Sequence, residues 1–302
     1  MVNQIKSIVK SARPTHWVKN LAIFAALVFS GGLFDPELFR LTFLAAVCFS
    51  IATSACYFTN DILDKKTDRQ HPIKKNRPIA SGAISTIDAT FLAIILIATA
   101  VLFASFISFF FLSAVIVYIL LQICYTLFLK KLQIIDILAI AAGFVIRVWA
   151  GAFVINAHLS VWFLLCVISG SLFLAAGKRK AESSILKKYG SKPSLVYKPE
   201  VLDSYLNMFG TASWMSWSLF TFFYSSQTEL LPFTADLPLT IAGIGKWLML
   251  TIPVVIFGIM RYLYISHTTT LARSPERTLI RDKYLLGSFL VWAALIVLTL
   301  YS

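Results

Sequence analysis

Asp61, Asp64 and Asp68 follow a long apolar run at spacings i, i+3 and i+7. On a helix that continues past Phe58 this puts three carboxylates on one face. Like charges so placed repel, so the pattern calls for a cation among them. Oxygen ligands with no His or Cys at ligand spacing suit Mg²⁺, with Mn²⁺ as a substitute, held by one or two carboxylates and by phosphate oxygens of a second molecule. The chemistry on offer is therefore the binding and activation of a diphosphate, with Asn60 beside the acids to orient one of these groups. Lys74 and Arg77 follow in a segment bounded by Pro72 and Pro78, and fixed cations close to such a metal are what phosphate recognition requires. His71 is a weaker candidate, since a lone His beside Pro serves structure as often as function. Against all this stands the bland reading of an acidic helix end solvated at the surface.

The elements that must position these residues are membrane helices. Of 302 residues, 58% are hydrophobic and only 14% charged, with a mean hydropathy of +0.79, whereas a soluble domain carries about 25% charged residues. Apolar runs near the ~20 residues that cross a bilayer as a helix recur from end to end. Punctuated by charges and turns, they predict nine spans: His16 to Phe34, Leu38 to Phe58, Ile87 to Ser105, Ser108 to Leu129, Leu132 to Ile155, Leu159 to Ala176, Leu206 to Tyr224, Trp247 to Ile265 and Tyr284 to Tyr301. No small-residue cleavage site follows the basic N-terminal stretch, so the first run reads as a retained span. Ser225 to Lys246, with Pro232 and Pro238, reads as a loop or a surface-lying piece. Cys48, Cys56, Cys124 and Cys166 lie within apolar runs, as packing residues rather than metal ligands or disulfide partners. The expected fold is an all-α integral membrane protein, a nine-transmembrane-helix bundle forming one domain over residues 1–302.

The net charge of +13 is unevenly spread. All of the 27 Lys and Arg except Arg40, Lys246 and the mid-span Arg147 fall in the N-terminal stretch or in alternate connections, which the positive-inside rule places in the cytoplasm. The N-terminus is then expected in the cytoplasm and the C-terminus outside, in a multi-pass protein of the cell membrane. Ordinary topology accounts for the basic excess, and no nucleic-acid partner is needed.

Two stretches carry a likeness to a known family. The run Asn60-Asp61-x-x-Asp64-x-x-x-Asp68-x-x-His71-Pro72-x-Lys74-x-x-Arg77-Pro78 resembles the first aspartate-rich motif of the UbiA prenyltransferase superfamily. Its H-P-x-K-x-x-R-P ending resembles the decaprenyl-phosphate phosphoribosyltransferase branch in particular. Arg13-Pro14-x-x-Trp17-Val18-Lys19-Asn20 is similar to the R-P-x-Q-W-x-K-N entry motif of that branch, with His16 in place of Gln. The second acidic motif of most of the superfamily, D-x-x-x-D after the sixth span, is missing. At its place Lys178 and Glu182 keep the i, i+4 spacing within Gly177-Lys178-Arg179-Lys180-Ala181-Glu182, but a cation replaces the first acid, as in the same branch. One carboxylate fewer and two cations more favour substrates that bring extra phosphate charge.

The resemblance implies a UbiA-type bundle with a polar cavity opening toward the cytoplasm and the lipid. It also implies transfer of a 5-phosphoribosyl group from phosphoribosyl diphosphate to a polyprenyl phosphate, releasing pyrophosphate. Asp61, Asp64 and Asp68 would hold Mg²⁺ against the diphosphate; Lys74, Arg77, Lys178 and Arg179 would bind the donor phosphates; Arg13 and Lys19 would lie nearer the lipid phosphate, with Asn20 a further substrate-binding candidate. Glu182 would be a hydroxyl or metal ligand. Arg147, mid-span, is costly unless it faces a cavity or a partner, so it is either a substrate ligand or a bridge to backbone carbonyls between helices. Asp136 is eleven residues away, too far along the helix to pair with it. Tyr125, Arg261 and Arg281 are further substrate-side candidates. Membrane lipids are expected neighbours, and a homo-oligomer is compatible with all of this. The alternatives are an aromatic prenyltransferase using a polyprenyl diphosphate, against which the missing second motif counts, and a lipid or solute transporter, for which no inverted repeat is visible.

Overall fold

The computed structural model describes residues 2–71, 73–188, 197–224, 247–268 and 275–301. Ser225 to Lys246, Pro72, Lys192 and Ser274 lie outside the described residues, as do the side chains of Lys187, Lys188 and Glu276. The described residues fold into helices: α1 (Val2–Ala12), a 3-10 helix Pro14–Ile23, α2 (Phe24–Phe29), α3 (Pro36–Leu63), α4 (Lys65–Gln70), a 3-10 turn Lys74–Asn76, α5 (Pro78–Ser81), α6 (Thr86–Ile107), α7 (Phe109–Leu127), a 3-10 turn Leu129–Lys131, α8 (Ile135–Ile155), α9 (Val161–Lys188), α10 (Pro199–Phe223), a 3-10 turn Trp247–Thr251, α11 (Ile252–Thr268), α12 (Pro275–Arg281) and α13 (Lys283–Tyr301). Residues 1–158 with 185–197 make one compact unit, and 159–184 with 198–302 make a second.

Seven helices among the described residues are long and apolar enough to cross a bilayer: α3, α6, α7, α8, the Val161–Ser184 part of α9, Trp247–Thr268 and α13. Two of the nine expected spans differ. The run from His16 to Phe34 is not one α-helix: Arg13 takes a left-handed conformation (φ 52°, ψ 61°) ahead of Pro14, and the chain winds as ten residues of 3-10 helix before α2. The run from Leu206 to Tyr224 belongs to the 25-residue α10, which is long enough but interrupts its apolar residues with Ser, Thr and Trp. Ser213, Ser216 and Ser218 return their hydroxyls to the carbonyls of Phe209, Ala212 and Trp214 one turn back.

The first unit is built around α3, which packs on α6, α7 and α8. Its inward residues are small. Ala45, Cys48, Ala52 and Cys56 meet Ala100 and Ala104 of α6 and Ala150 of α8 in one core with Phe49, Phe111 and Tyr118. Without a hydrophobic drive between helices in lipid, close backbone approach supplies the packing energy, and small residues permit it. The large side chains of α6 point the other way: Ile87, Phe91, Ile94, Leu102, Phe103 and Phe106 are exposed. Gly151 of α8 lies against the backbone carbonyl of Ile23, so close that any Cβ there would overlap it. The 3-10 helix is pinned to α3 by Trp17 Nε1, donating to Ser54 Oγ at 3.0 Å, and by Asn20 Nδ2, donating to Ser50 Oγ at 2.8 Å.

In the second unit Phe173, Ala176 and Ala181 of α9, Leu206 of α10 and Tyr262 of α11 share a core. Gly177 sets the approach of α9 to α11, because a Cβ on it would meet the Tyr262 hydroxyl at 2.6 Å.

Candidate active site

The C-terminal end of α3 delivers Asp61 into the first unit with 1% of its surface exposed. A buried carboxylate needs compensating charge, and the chain supplies it from two distant places. Arg13 Nη2 donates to Asp61 Oδ1 at 2.5 Å, with its guanidinium carbon 4.6 Å from the Tyr57 ring centre. Arg77 Nη1 donates to the same oxygen at 3.0 Å and to Asp68 Oδ2 at 2.6 Å. The left-handed turn at Arg13 is what directs the chain from α1 into the 3-10 helix beside α3.

The three acids do not share one face, as the spacing predicted. The α-helix is interrupted at Asp64 (φ −88°, ψ 1°) before α4 begins. Asp61 and Asp68 still converge, through Arg77, whereas Asp64 pairs with Lys130 of the turn after α7. Among the described residues no three His, Cys, Asp or Glu side chains form a ready metal cluster. Burial pushes the Asp68 carboxyl above its ordinary value, opposed by the charges of Arg77 and Lys74. The cations form the outer layer: Asp61 and Asp68 are nearly sealed, while the Arg13 and Arg77 side chains keep 19% and 21% of their surface. In these pairs the guanidinium groups, rather than the carboxylates, are the accessible partners.

Neighbouring groups hold this arrangement. The Thr126 hydroxyl lies 3.1 Å from Asn60 Oδ1, Lys65 donates to Thr86 Oγ1 at 2.6 Å and Arg69 to the Ala80 carbonyl at 3.0 Å. His71, expected on substrate, uses Nδ1 to accept from the amides of Ile73 and Lys74 at 3.1 and 3.2 Å, and so shapes the turn that carries Lys74. Lys19, Lys74 and Tyr125 are half-buried.

Arg147 and Asn20 have a different place from the acids. Arg147 is 4% exposed, and donates to Asn20 Oδ1 at 2.8 Å, the Gly143 carbonyl at 2.5 Å and the Tyr118 hydroxyl at 2.7 Å. These bonds tie α8 to α7 and to the 3-10 helix through side chains, and the one backbone carbonyl among the partners, that of Gly143, is on α8 itself. Tyr118 carried no signal in the sequence; Lys130 carried only its place in the topology tally and its position after Tyr125, and its pairing with Asp64, 66 positions away, carried none.

In the second unit Lys178 is half-buried on α9. Arg179 pairs with Glu182 one turn on at 2.5 Å, and Lys180 with Asp203 of α10 at 2.5 Å. Arg261 makes a two-pronged bond to Asp282, at 3.0 and 2.7 Å, between the rings of Tyr264 and Tyr284. Asp282 is held below the ordinary carboxylate range by that bond. Arg281 is exposed at the end of α12.

The family model for UbiA prenyltransferases matches residues 21–280. The chain belongs to the UbiA prenyltransferase family. It is a transferase and a multi-pass membrane protein. Among curated relatives, a decaprenyl-phosphate phosphoribosyltransferase of Mycolicibacterium smegmatis is 32% identical over 99% of this chain and 94% of its own length. One of the same name from Corynebacterium glutamicum is 34% identical over 99% of this chain and 88% of its own. Among solved structures, a UbiA homolog from Archaeoglobus fulgidus bound to DMAPP and Mg²⁺ superimposes with a TM-score of 0.68, at 18% identity and over 97% of both chains. The UbiA fold read from the two sequence motifs is thereby established.

Divalent-metal binding is found in that structural neighbour. The residues here fit such an ion in two respects. Asp61 Oδ2 is buried with no hydrogen-bond partner among the described residues, a costly state for a carboxylate oxygen, and the donors at hand are hard oxygens of the kind Mg²⁺ takes.

Proposed function

We propose that the protein transfers the 5-phosphoribosyl group of phosphoribosyl diphosphate to a polyprenyl phosphate of the decaprenyl type and releases pyrophosphate. The observation that carries this reading is the near full-length identity to relatives named decaprenyl-phosphate phosphoribosyltransferase. The site's chemistry supports it. Arg13 and Arg77 cover Asp61 and Asp68, and Lys130 stands beside Asp64, a set of cations that suits a polyanionic donor better than a neutral acceptor.

In this reading an oxygen of the lipid phosphate attacks the anomeric carbon of the donor, the bond from that carbon to the diphosphate oxygen breaks, and pyrophosphate leaves. The lipid phosphate is already an anion, so no strong general base is required. Asp61, with Asp64 and Asp68, would hold Mg²⁺, which neutralises and orients the leaving group when bound. Arg77, Lys74 and Lys130 contact the donor phosphates, and Arg13 and Lys19 the lipid phosphate. Lys178 and Arg179 bind donor phosphate, and Glu182 a hydroxyl or the metal. Asn20 and Arg147 act from behind, by fixing the 3-10 helix that follows Arg13. The site faces the cytoplasm of the cell membrane, in keeping with the charge asymmetry of the connections.

Purified protein incubated with labelled phosphoribosyl diphosphate, Mg²⁺ and polyprenyl phosphates should form a lipid-soluble labelled product. Prenylation of hydroxybenzoate from a polyprenyl diphosphate, with no such product, would overturn the reading. Reporters fused after Asn76 should report cytoplasm.

A further inference from the structure

Ile134, just ahead of α8, has φ 69° and ψ −51°, a genuine outlier for a β-branched residue. The Ile135 amide donates to the Gln133 carbonyl at 2.8 Å, which closes a γ-turn in its rarer, strained form. Such strain persists only where the surroundings over-determine it, and it collects at functional sites. Here the restraint is visible. The Ile134 amide donates to the Tyr197 hydroxyl at 2.6 Å, and that hydroxyl donates to Asp136 Oδ1 at 2.5 Å. Asp136 is fully buried and Tyr197 nearly so. One phenol thus clamps the centre of the turn and the first turn of α8 from 61 positions away.

Four residues before the turn's centre stands Lys130, paired with Asp64. A ladder of backbone bonds joins the two places: Leu132 donates to the Leu129 carbonyl and Asp136 to the Leu132 carbonyl, both at 3.1 Å. We propose that Tyr197 and Asp136 are positioning residues, which lock the Gln133–Ile135 turn and so hold Lys130 over the acidic motif where it meets donor phosphate. The proposal rests on the functional reading given above.

In the labelled-donor assay, Tyr197→Phe should raise the donor KM roughly tenfold, the scale of one lost buried hydrogen bond, with the KM for polyprenyl phosphate unchanged. Glycine adopts positive φ without strain, so adding Ile134→Gly should restore the donor KM of Tyr197→Phe. Because Tyr197 acts through Lys130, adding Tyr197→Phe to Lys130→Ala should cost no further factor. A merely structural Tyr197 would shift both KM values together, gain nothing from the glycine and add its full loss to Lys130→Ala; any of these results overturns the proposal. Should Tyr197→Phe fail to fold, Asp136→Asn takes its place with the same pattern expected. Hydrogen exchange of the amides of 130–136 needs no substrate, and should speed up in either variant; unchanged exchange overturns the clamp. A wild-type protein that ignores the donor would instead sink the functional reading, and the exchange result would still judge the clamp.

Discussion

The end of α3 and the end of α9 both place charges at helical spacing where an apolar helix runs out, yet they are organised in opposite ways. At Asp61 the counter-charges come from 48 positions before and 16 after, and Asp64 reaches 66 positions on to Lys130. At the end of α9 Arg179 pairs with Glu182, three residues along the same helix, and Lys180 with Asp203 of the next helix. A pair within one helix turn forms wherever the helix forms and adds little, about 0.3–0.5 kcal/mol. Pairs drawn from three separate elements exist only when the fold brings those elements together. The acidic end therefore depends on the tertiary fold, whereas the Arg179–Glu182 pair is local to α9 and Lys180 reaches only to the neighbouring α10.

The largest effect should come from the acids. Asp61→Asn or Asp64→Asn should lower turnover about 10²- to 10³-fold, the equivalent of several kcal/mol of lost leaving-group stabilisation, in protein that still elutes as a folded species. If either variant kept activity within a few-fold of wild type, the long-range pairs would be merely structural. Next, exhaustive chelation should abolish product formation and added Mg²⁺ or Mn²⁺ should restore it; activity that survives chelation would remove the metal from the acidic end. Third, Lys178→Ala should weaken apparent donor affinity by roughly 10- to 150-fold, for one charge-assisted contact of ~1.5 to 3 kcal/mol, and spare the lipid substrate. Equal weakening of both substrates would make the basic end a general vestibule. The smallest effect concerns stability. Asp282 has a folded pKa below its unfolded one, so its bond to Arg261 stabilises above the unfolded value of about 3.9 and is lost as the pH falls through the folded value. Asp282→Asn should lower the unfolding temperature slightly at pH 7, and the difference from wild type should vanish at strongly acidic pH.

Much of the acidic end was legible in the sequence because its members sit within one short segment. The spacing and the prolines singled out Asp61, Asp68 and Arg77, and a separate motif singled out Arg13, but that Arg13 and Arg77 pair directly with the acids was not among the expectations. Asp64 parted from the others because helical periodicity assumes an unbroken helix, and ψ near 0° at that residue breaks it. Lys130 and Tyr197 were hidden for another reason. Each acts on a partner more than 60 positions away, and neither residue type nor local pattern records such a meeting. For Arg147 the sequence offered a substrate-side role and a structural one, and its bonds to Asn20 and Tyr118, from distant parts of the chain, carried no sequence signal. The bundle was readable from hydropathy except where a span need not be an α-helix, as at Pro14–Ile23.

That 3-10 stretch works as a ruler. Ten residues wound this way advance about 20 Å, against about 15 Å for an α-helix. Three of its residues rise about 6 Å, as do four residues of an α-helix. Trp17 and Asn20 therefore keep step with Ser54 and Ser50, four apart on α3. Rewound as an α-helix, the same residues would fall about 5 Å short, and the chain could reach Gly151 at one end or set Arg13 on Asp61 at the other, but not both.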